Sequence, residues 1–340
     1  MKPHQIAVPD SPRIEGGRAT LIWEGESPPR VICDLYGWES NPQEMRRLSP
    51  GVWAFSFDLP ADAYMEYAFL DSNGQRVRDP HNPRRVANGL GDFNHYFYMP
   101  EAQPSPWLLR RRGVPHGRLT RHDIPSGWLT ASPRRRVYLY RPPVDVPVPL
   151  VVVYDGADYL RRARITTIVD HLVAAGRIPP LALALVANGR QARFVEYACS
   201  EATLGLLTQH VLPLAQREMP LLQKPGAHAV LGASMGGLQA VYTALRLPHI
   251  FGAAISQSGA FAIREQHFVL DDLVQYLPPP PVRLWMDVGQ WEFLLAANRQ
   301  FRERLAARGY TLWYREYNGG HNYTAWRNEL PEALMQVFGG

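Results

Sequence analysis

Apolar and polar positions follow two different periods along this 340-residue chain. In the first hundred residues, apolar side chains recur at every second place. Trp53, Phe55 and Phe57 show the period in "GVWAFSFDLP", and "ATLIWEG", "RVICDLYGW", "AYMEYAFL" and "FNHYFYMP" share its β-branched and aromatic texture. Alternate side chains of a strand face opposite sides of a sheet, so the pattern predicts short strands. Gly, Pro, Asn and Asp separate the runs. "DSNGQ" (Asp71–Gln75) holds an Asn-Gly pair that suits the positive φ angles of a hairpin turn. Residues 1–100 are expected to form a small all-β, immunoglobulin-like sandwich.

The proline- and charge-rich stretch "PEAQPSPWLLRRRGVP" marks residues 101–115 as a linker. Beyond it the period changes. "RVYLYRP", "PLVVVYDG", "LALALVAN", "HAVLGAS", "GAAISQSG" and "VRLWMDVG" are nearly continuous apolar runs, as strands covered on both faces are. Ala163–Ala174, Glu201–Glu218, Leu238–Leu247 and Ala296–Arg308 have apolar residues at helical spacing and follow several of these runs. Strand alternating with helix predicts a doubly covered, mostly parallel α/β sheet over residues 116–340. Ligands of such sheets bind at the carboxyl ends of the strands.

A hydrophobic content of 46% with 20% charged residues supplies core enough for both domains and argues against disorder. No apolar stretch reaches membrane-spanning length. The start, "MKPHQIAVPDSPRIEGG", has no apolar core of the secretory kind, so a cytoplasmic protein is expected. The net charge of +5 permits an anionic partner. Arg110–Arg112 and Arg134–Arg136 are runs too short to suggest nucleic acid, so the expected partner is a small molecule. Cys33 and Cys199 lie far apart and read as reduced thiols. No Cys/His cluster has zinc spacing, and neither metal nor cofactor is expected.

"AVLGASMGGLQAVYTALRLP" (Ala229–Pro248) places Ser234 in a G-x-S-x-G pattern between a strand-like run and a helix-like one. A serine on such a turn has its hydroxyl pushed out at the strand end, where it can act as a nucleophile. The hydroxyl needs a general base. Of the histidines, His321 in "REYNGGHNYTAWRNELPEAL" is set apart by its glycine-marked loop between the last strand-like run and a final helix. Where such sheets carry a serine nucleophile, the chain order is serine, acid, histidine. Two carboxylates at the end of "PVRLWMDVGQWEF" fit that order. Asp287 lies within the strand, and Glu292, the favoured acid, lies on the loop beyond it. Its part would be to hold the imidazole by Nδ1 and stabilise the imidazolium. The N–H of Met235 is the first candidate oxyanion donor. The second has to come from the turn at Asp155, Gly156 and Ala157, with Gly156 as the candidate.

These motifs, taken in order with "RFVEYACSE" and "ISQSGAF", resemble the enterochelin esterase family of α/β-hydrolases. "LIWEG", "GVWAFSFDLP" and "DPHNP" resemble the early-set β-sandwich that precedes the hydrolase domain there. The resemblance implies Ser234 as nucleophile, His321 as base and Glu292 as acid. It implies substrate-binding roles for Arg193, Trp326 and Arg327, and a ferric catecholate siderophore as the anionic ester substrate. Asn322 departs from the family, where several members have aspartate after the histidine. A carbohydrate-directed (feruloyl or acetyl) esterase and an acyltransferase are the alternatives on this scaffold. Trp23, Trp38 and Trp53 would stack on sugars in the first case, or belong to the sandwich core.

Overall fold

The computed structural model describes residues 11–263 and 266–339. Residues 1–10, which open the stretch read for an export signal, lie outside the described residues. The chain forms two compact units. One is Met1–Gln103 with the loops Gly289–Phe293 and Tyr317–Asn322, and the other is Pro104–Val288, Leu294–Glu316 and Tyr323–Gly340.

The first unit is built from β1 (Arg13–Glu15), β2 (Arg18–Glu24), β3 (Arg30–Cys33), β4 (Arg46–Ser49), β5 (Val52–Asp58), β6 (Tyr64–Leu70), β7 (Arg76–Val77), β8 (Arg85–Ala87) and β9 (Phe93–Tyr98). They pair antiparallel into two sheets, β1-β2-β5-β4 and β3-β6-β9-β8, with β7 on β6. Leu21 and Phe57 from the first sheet and Met65, Tyr67, Phe69 and Phe97 from the second share one fully buried core. That shared core makes the unit a sandwich. Trp23 and Trp53 pack half-buried against it. Their indole N–H groups donate to Ser27 O at 3.1 Å and Gly25 O at 3.0 Å, which favours the core reading over sugar stacking.

The second unit carries an eight-stranded sheet. Its strands are β10 (Arg118–Pro125), β11 (Arg134–Arg141), β12 (Leu150–Val153), β13 (Ala182–Val186), β14 (His228–Ala233), β15 (Phe251–Gln257), β16 (Arg283–Gly289) and β17 (Thr311–Tyr317). Their order is β10-β11-β13-β12-β14-β15-β16-β17, with β13 to β16 parallel along the path. Counted from β10 as the first, this is 1-2-4-3-5-6-7-8. The helices are α1 (Gly156–Arg161), α2 (Ile165–Ala174), α3 (Arg193–Tyr197), α4 (Glu201–Leu206), α5 (Leu212–Glu218), α6 (Met235–Arg246), α7 (Val269–Tyr276), α8 (Leu295–Ala307) and α9 (Tyr323–Phe338). A π-helical turn over Leu207–Val211 joins α4 to α5, so the helical period read over Glu201–Glu218 is one element with a bulge. Every residue of β12, β13, β14 and β15 is buried, as their unbroken apolar runs require. The architecture is that of an α/β-hydrolase preceded by a β-sandwich. Among the described residues, no helix is long and apolar enough to cross a membrane.

The stretch read as a linker differs from expectation. From Pro104 on, it belongs to the second unit. Leu108 is buried, Trp107 O lies 2.9 Å from His171 Nδ1, and Leu108 O accepts from Arg164. One buried apolar side chain and two backbone anchors outweigh the proline-rich composition.

Candidate active site

Ser234 follows β14 and caps α6 with φ 57° and ψ −124°, a positive-φ backbone that a side-chain-bearing residue adopts at a cost. The neighbouring glycines allow it. A Cβ on Gly232 would overlap the Gly236 carbonyl, and one on Gly237 would lie 2.6 Å from Ser256 Oγ. The turn is held from both sides. Ser234 N–H donates to Gln257 O at 2.9 Å, and Ser234 O accepts from Ala260 N–H at 3.0 Å. Ser234 stays partly exposed between buried neighbours. Met235 is the first residue of α6, so its N–H has no acceptor within the helix.

The loop after β12 carries Asp155 at φ 52° and then Gly156, the first residue of α1. A Cβ on Gly156 would overlap the backbone of β13, so only glycine fits there. Asp155 is buried and fully engaged. Arg193 grips it with Nε at 2.8 Å and Nη2 at 2.6 Å, and Asn188 Nδ2 donates at 2.7 Å. Arg193 Nη2 also donates to Ala233 O, beside Ser234, at 3.3 Å. Arg193 therefore ties the Gly156 turn to the serine turn, and the expected substrate contact is replaced by a forked ion pair.

Trp326 is also placed differently from its expected substrate role. It is 4% exposed, and its Nε1–H donates to Ser258 Oγ at 2.8 Å. Its carbonyl accepts from Gln257 Nε2 at 2.9 Å, so it braces the end of β15, whose Gln257 O holds Ser234 N–H. Arg327 is half-buried, with Nη1 3.5 Å from Arg162 O.

In the first unit, the loops 289–293 and 317–322 bring Glu292 and His321 together. Glu292 Oε2 lies 2.7 Å from His321 Nδ1. Glu292 Oε1 accepts from Gly289 N–H at 2.8 Å and from Tyr317 OH at 3.1 Å, which aims the carboxylate. A carboxylate on Nδ1 keeps the proton there and leaves Nε2 as the basic nitrogen. Asp287, the alternative acid, is fully buried and turned to other work. Its Oδ2 accepts from Trp285 Nε1 at 2.8 Å and Gln257 Nε2 at 3.2 Å. Three neighbours of the base carried no signal in the sequence. They are Tyr317, the exposed Phe293 ring 5.4 Å from the imidazole, and Asp34, whose Oδ1 accepts His321 N–H at 3.2 Å. Among the described residues, no group of His, Cys, Asp and Glu is arranged to hold a metal ion.

A strained serine turn ahead of a helix, with a carboxylate–imidazole pair later in the chain, is what nucleophilic ester chemistry needs. The Esterase family model, described as "Putative esterase", matches residues 130–337, more than half of the chain. The chain belongs to the Esterase family. That membership makes it a carboxylic ester hydrolase. It is 27% identical to the iron(III) enterobactin esterase of Dickeya dadantii, over 98% of this chain and 90% of that one. It is 28% identical to an iron(III) salmochelin esterase of Escherichia coli O6:H1, over 83% of this chain and 76% of that one. A crystal structure of ferric enterobactin esterase from Salmonella typhimurium shares the fold, with a TM-score of 0.81 at 22% identity. That match covers 96% of this chain and 95% of the other.

Proposed function

We propose that this esterase hydrolyses the ester bonds of a ferric catecholate siderophore through an acyl-enzyme on Ser234. The observation that carries the chemistry is the 2.7 Å pairing of His321 Nδ1 with buried Glu292, which leaves Nε2 to take a proton. Ser234 Oγ attacks the ester carbonyl as His321 Nε2 accepts its proton. The N–H groups of Met235 and Gly156 receive the oxyanion. His321 returns the proton to the leaving alkoxide, then activates the water that releases the acid. The ferric ion is cargo of the substrate and takes no step.

The names of the enterobactin and salmochelin esterase relatives support the substrate. So does a cavity of about 690 Å³ in the second unit, lined by Ala157, the residue after Gly156, and by Arg134, Arg136, Arg161 and Arg190. Asp123 and Asp158 are the carboxylates on its wall. A tris-catecholate iron complex is anionic and oxygen-rich, and guanidinium groups suit it. These arginines take over the part first expected of Arg193.

The test is kcat/KM on a ferric catecholate trilactone, its iron-free form, a feruloyl sugar and a neutral aryl acetate, with Ser234→Ala as control. Ser234→Ala should fold, lose turnover and lose fluorophosphonate labelling. The ferric trilactone should lead the series. Arg161→Gln and Arg190→Gln should raise KM for it alone, as should added salt. Preference for the feruloyl sugar, or equal losses on charged and neutral esters, would sink the siderophore reading.

A further inference from the structure

Asp34 opens the short turn after β3, 287 residues before His321, yet its carboxyl group lies against the loop that carries the base. Oδ1 accepts the Trp38 indole N–H at 2.9 Å and the His321 backbone N–H at 3.2 Å. Oδ2 accepts from Asn322 Nδ2 at 3.4 Å. Gly320 lies under the carboxyl so closely that any Cβ there would overlap it. The side chain is buried, and Gly37 N–H folds back onto Asp34 O to fix the short turn that presents it. Three consecutive loop residues, Gly320, His321 and Asn322, are thus moulded on one side chain of the sandwich.

We propose that Asp34 is a positioning residue for the base: it clamps the His321 loop and tunes the imidazole electrostatically. The inference rests on the esterase reading for its catalytic meaning, but the clamp itself belongs to the first unit alone. The physical case is a balance of charges. Burial, then the nearby Glu66, push the Asp34 carboxyl up to about 7, against the Trp38 hydrogen bond; Glu292 adds to the rise and His321 opposes it. These are the ionisable groups that face it, together with the Cys33 thiol next in sequence, which burial pushes up to about 12 and so keeps neutral. The carboxyl therefore changes charge across neutral pH. Ionised, it strengthens its three accepted hydrogen bonds and favours an imidazolium at His321. Protonated, it surrenders one acceptor position and that attraction. A carboxylate that favours the imidazolium helps as the serine proton arrives on Nε2, where positive charge develops.

The experiment compares wild type with Asp34→Asn and Asn322→Ala by two readouts. The first is aryl-ester kinetics against pH. The second is the titration of His321 followed by ¹⁵N-histidine NMR, which needs no turnover. In Asp34→Asn, kcat should fall about tenfold with KM held within about twofold, as loss of positioning without loss of binding requires. The acid limb of kcat/KM and the NMR titration of His321 should both move to lower pH, because the neighbouring negative charge is gone. Asn322→Ala keeps the charge and loses one clamp, so kcat should fall less and the titration should stay in place. An unmoved His321 titration in folded Asp34→Asn would overturn the proposal whatever the activity. If Asp34→Asn does not fold, an unchanged kcat in Asn322→Ala would overturn it. A wild type that fails to label at Ser234 or turn over esters, with the His321 titration still shifted by Asp34→Asn, would reject the esterase reading and keep the clamp.

Discussion

Glu292 and Asp287 are five residues apart, both buried, and divided by their hydrogen-bond partners. Glu292 spends one oxygen on the imidazole and the other on Gly289 N–H and Tyr317 OH. Asp287 spends its Oδ2 on Trp285 and Gln257, the second of which also supports the turn at Ser234. Glu292→Gln should therefore leave the fold intact and lower kcat by about 10⁴-fold, the loss that follows when a triad acid can no longer stabilise the imidazolium. Asp287→Asn should cost stability, about 1–3 kcal/mol from a disturbed buried hydrogen-bond pair, and little kcat in the folded fraction. Steady-state kinetics beside a urea melt separates the two. A larger kcat loss in Asp287→Asn than in Glu292→Gln would reverse the roles. The pairing of Glu292 with His321 was legible because strand ends and glycine-marked loops are local patterns. The grip of Arg193 on Asp155, and of Asp34 on the His321 loop, was not. Those partners are 38 and 287 residues apart, and nothing local in either segment requires the other.

At the scale of elements, periodicity carried most of the fold. Fully buried strands must be apolar throughout, and half-buried ones must alternate, so the change of architecture after residue 100 was written into the side chains. The elbow was legible for the same kind of reason, since Gly232 and Gly237 are needed where α6 meets β14 and β15. What escaped was anchoring by single residues. Trp107 O and Leu108 fasten a proline-rich stretch that composition marks as a linker. His228 is a second case. It starts β14, and its Nδ1 accepts Leu150 N–H from β12 at 3.1 Å, a bond only the neutral ring can accept. Burial lowers its pKa below the ordinary 6.5. The sign follows: protonation is easier in the unfolded chain, so this stability is complete above about pH 6.5 and is lost as pH falls through the depressed folded value. Thermal melts should show the Tm of wild type falling further than that of His228→Gln between pH 7 and 5. Parallel curves for the two proteins would mean the bond between β12 and β14 does not depend on the ring's charge.

At the scale of the whole molecule, each unit holds one buried free thiol, Cys33 in the first and Cys199 in the second. Burial pushes both up to about 12, so neither is a thiolate at neutral pH and neither should react with a thiol reagent while its unit is closed. Labelling therefore reads the opening of each unit separately. The sandwich is the smaller unit, and a smaller domain buries a smaller share of its unfolded surface. Cys33 should become reactive at a lower urea concentration than Cys199. Activity should follow Cys33. The loops with Glu292 and His321 are fastened within the first unit by Tyr64 N–H on Asn318 O at 3.0 Å and Asn318 Nδ2 on Asp62 at 2.7 Å. The Asp34 bond to His321 N–H at 3.2 Å fastens them further. Once the sandwich opens, these anchors go and the imidazole loses its fixed direction, while Ser234 keeps its turn in the second unit. The measurement is a urea titration in which aliquots are assayed for aryl-ester turnover, pulsed with a maleimide and mapped by mass spectrometry. Activity that survives complete labelling of Cys33 would show that the two loops hold their geometry without the sandwich. Activity that falls only with Cys199 would tie the base to the α/β sheet instead.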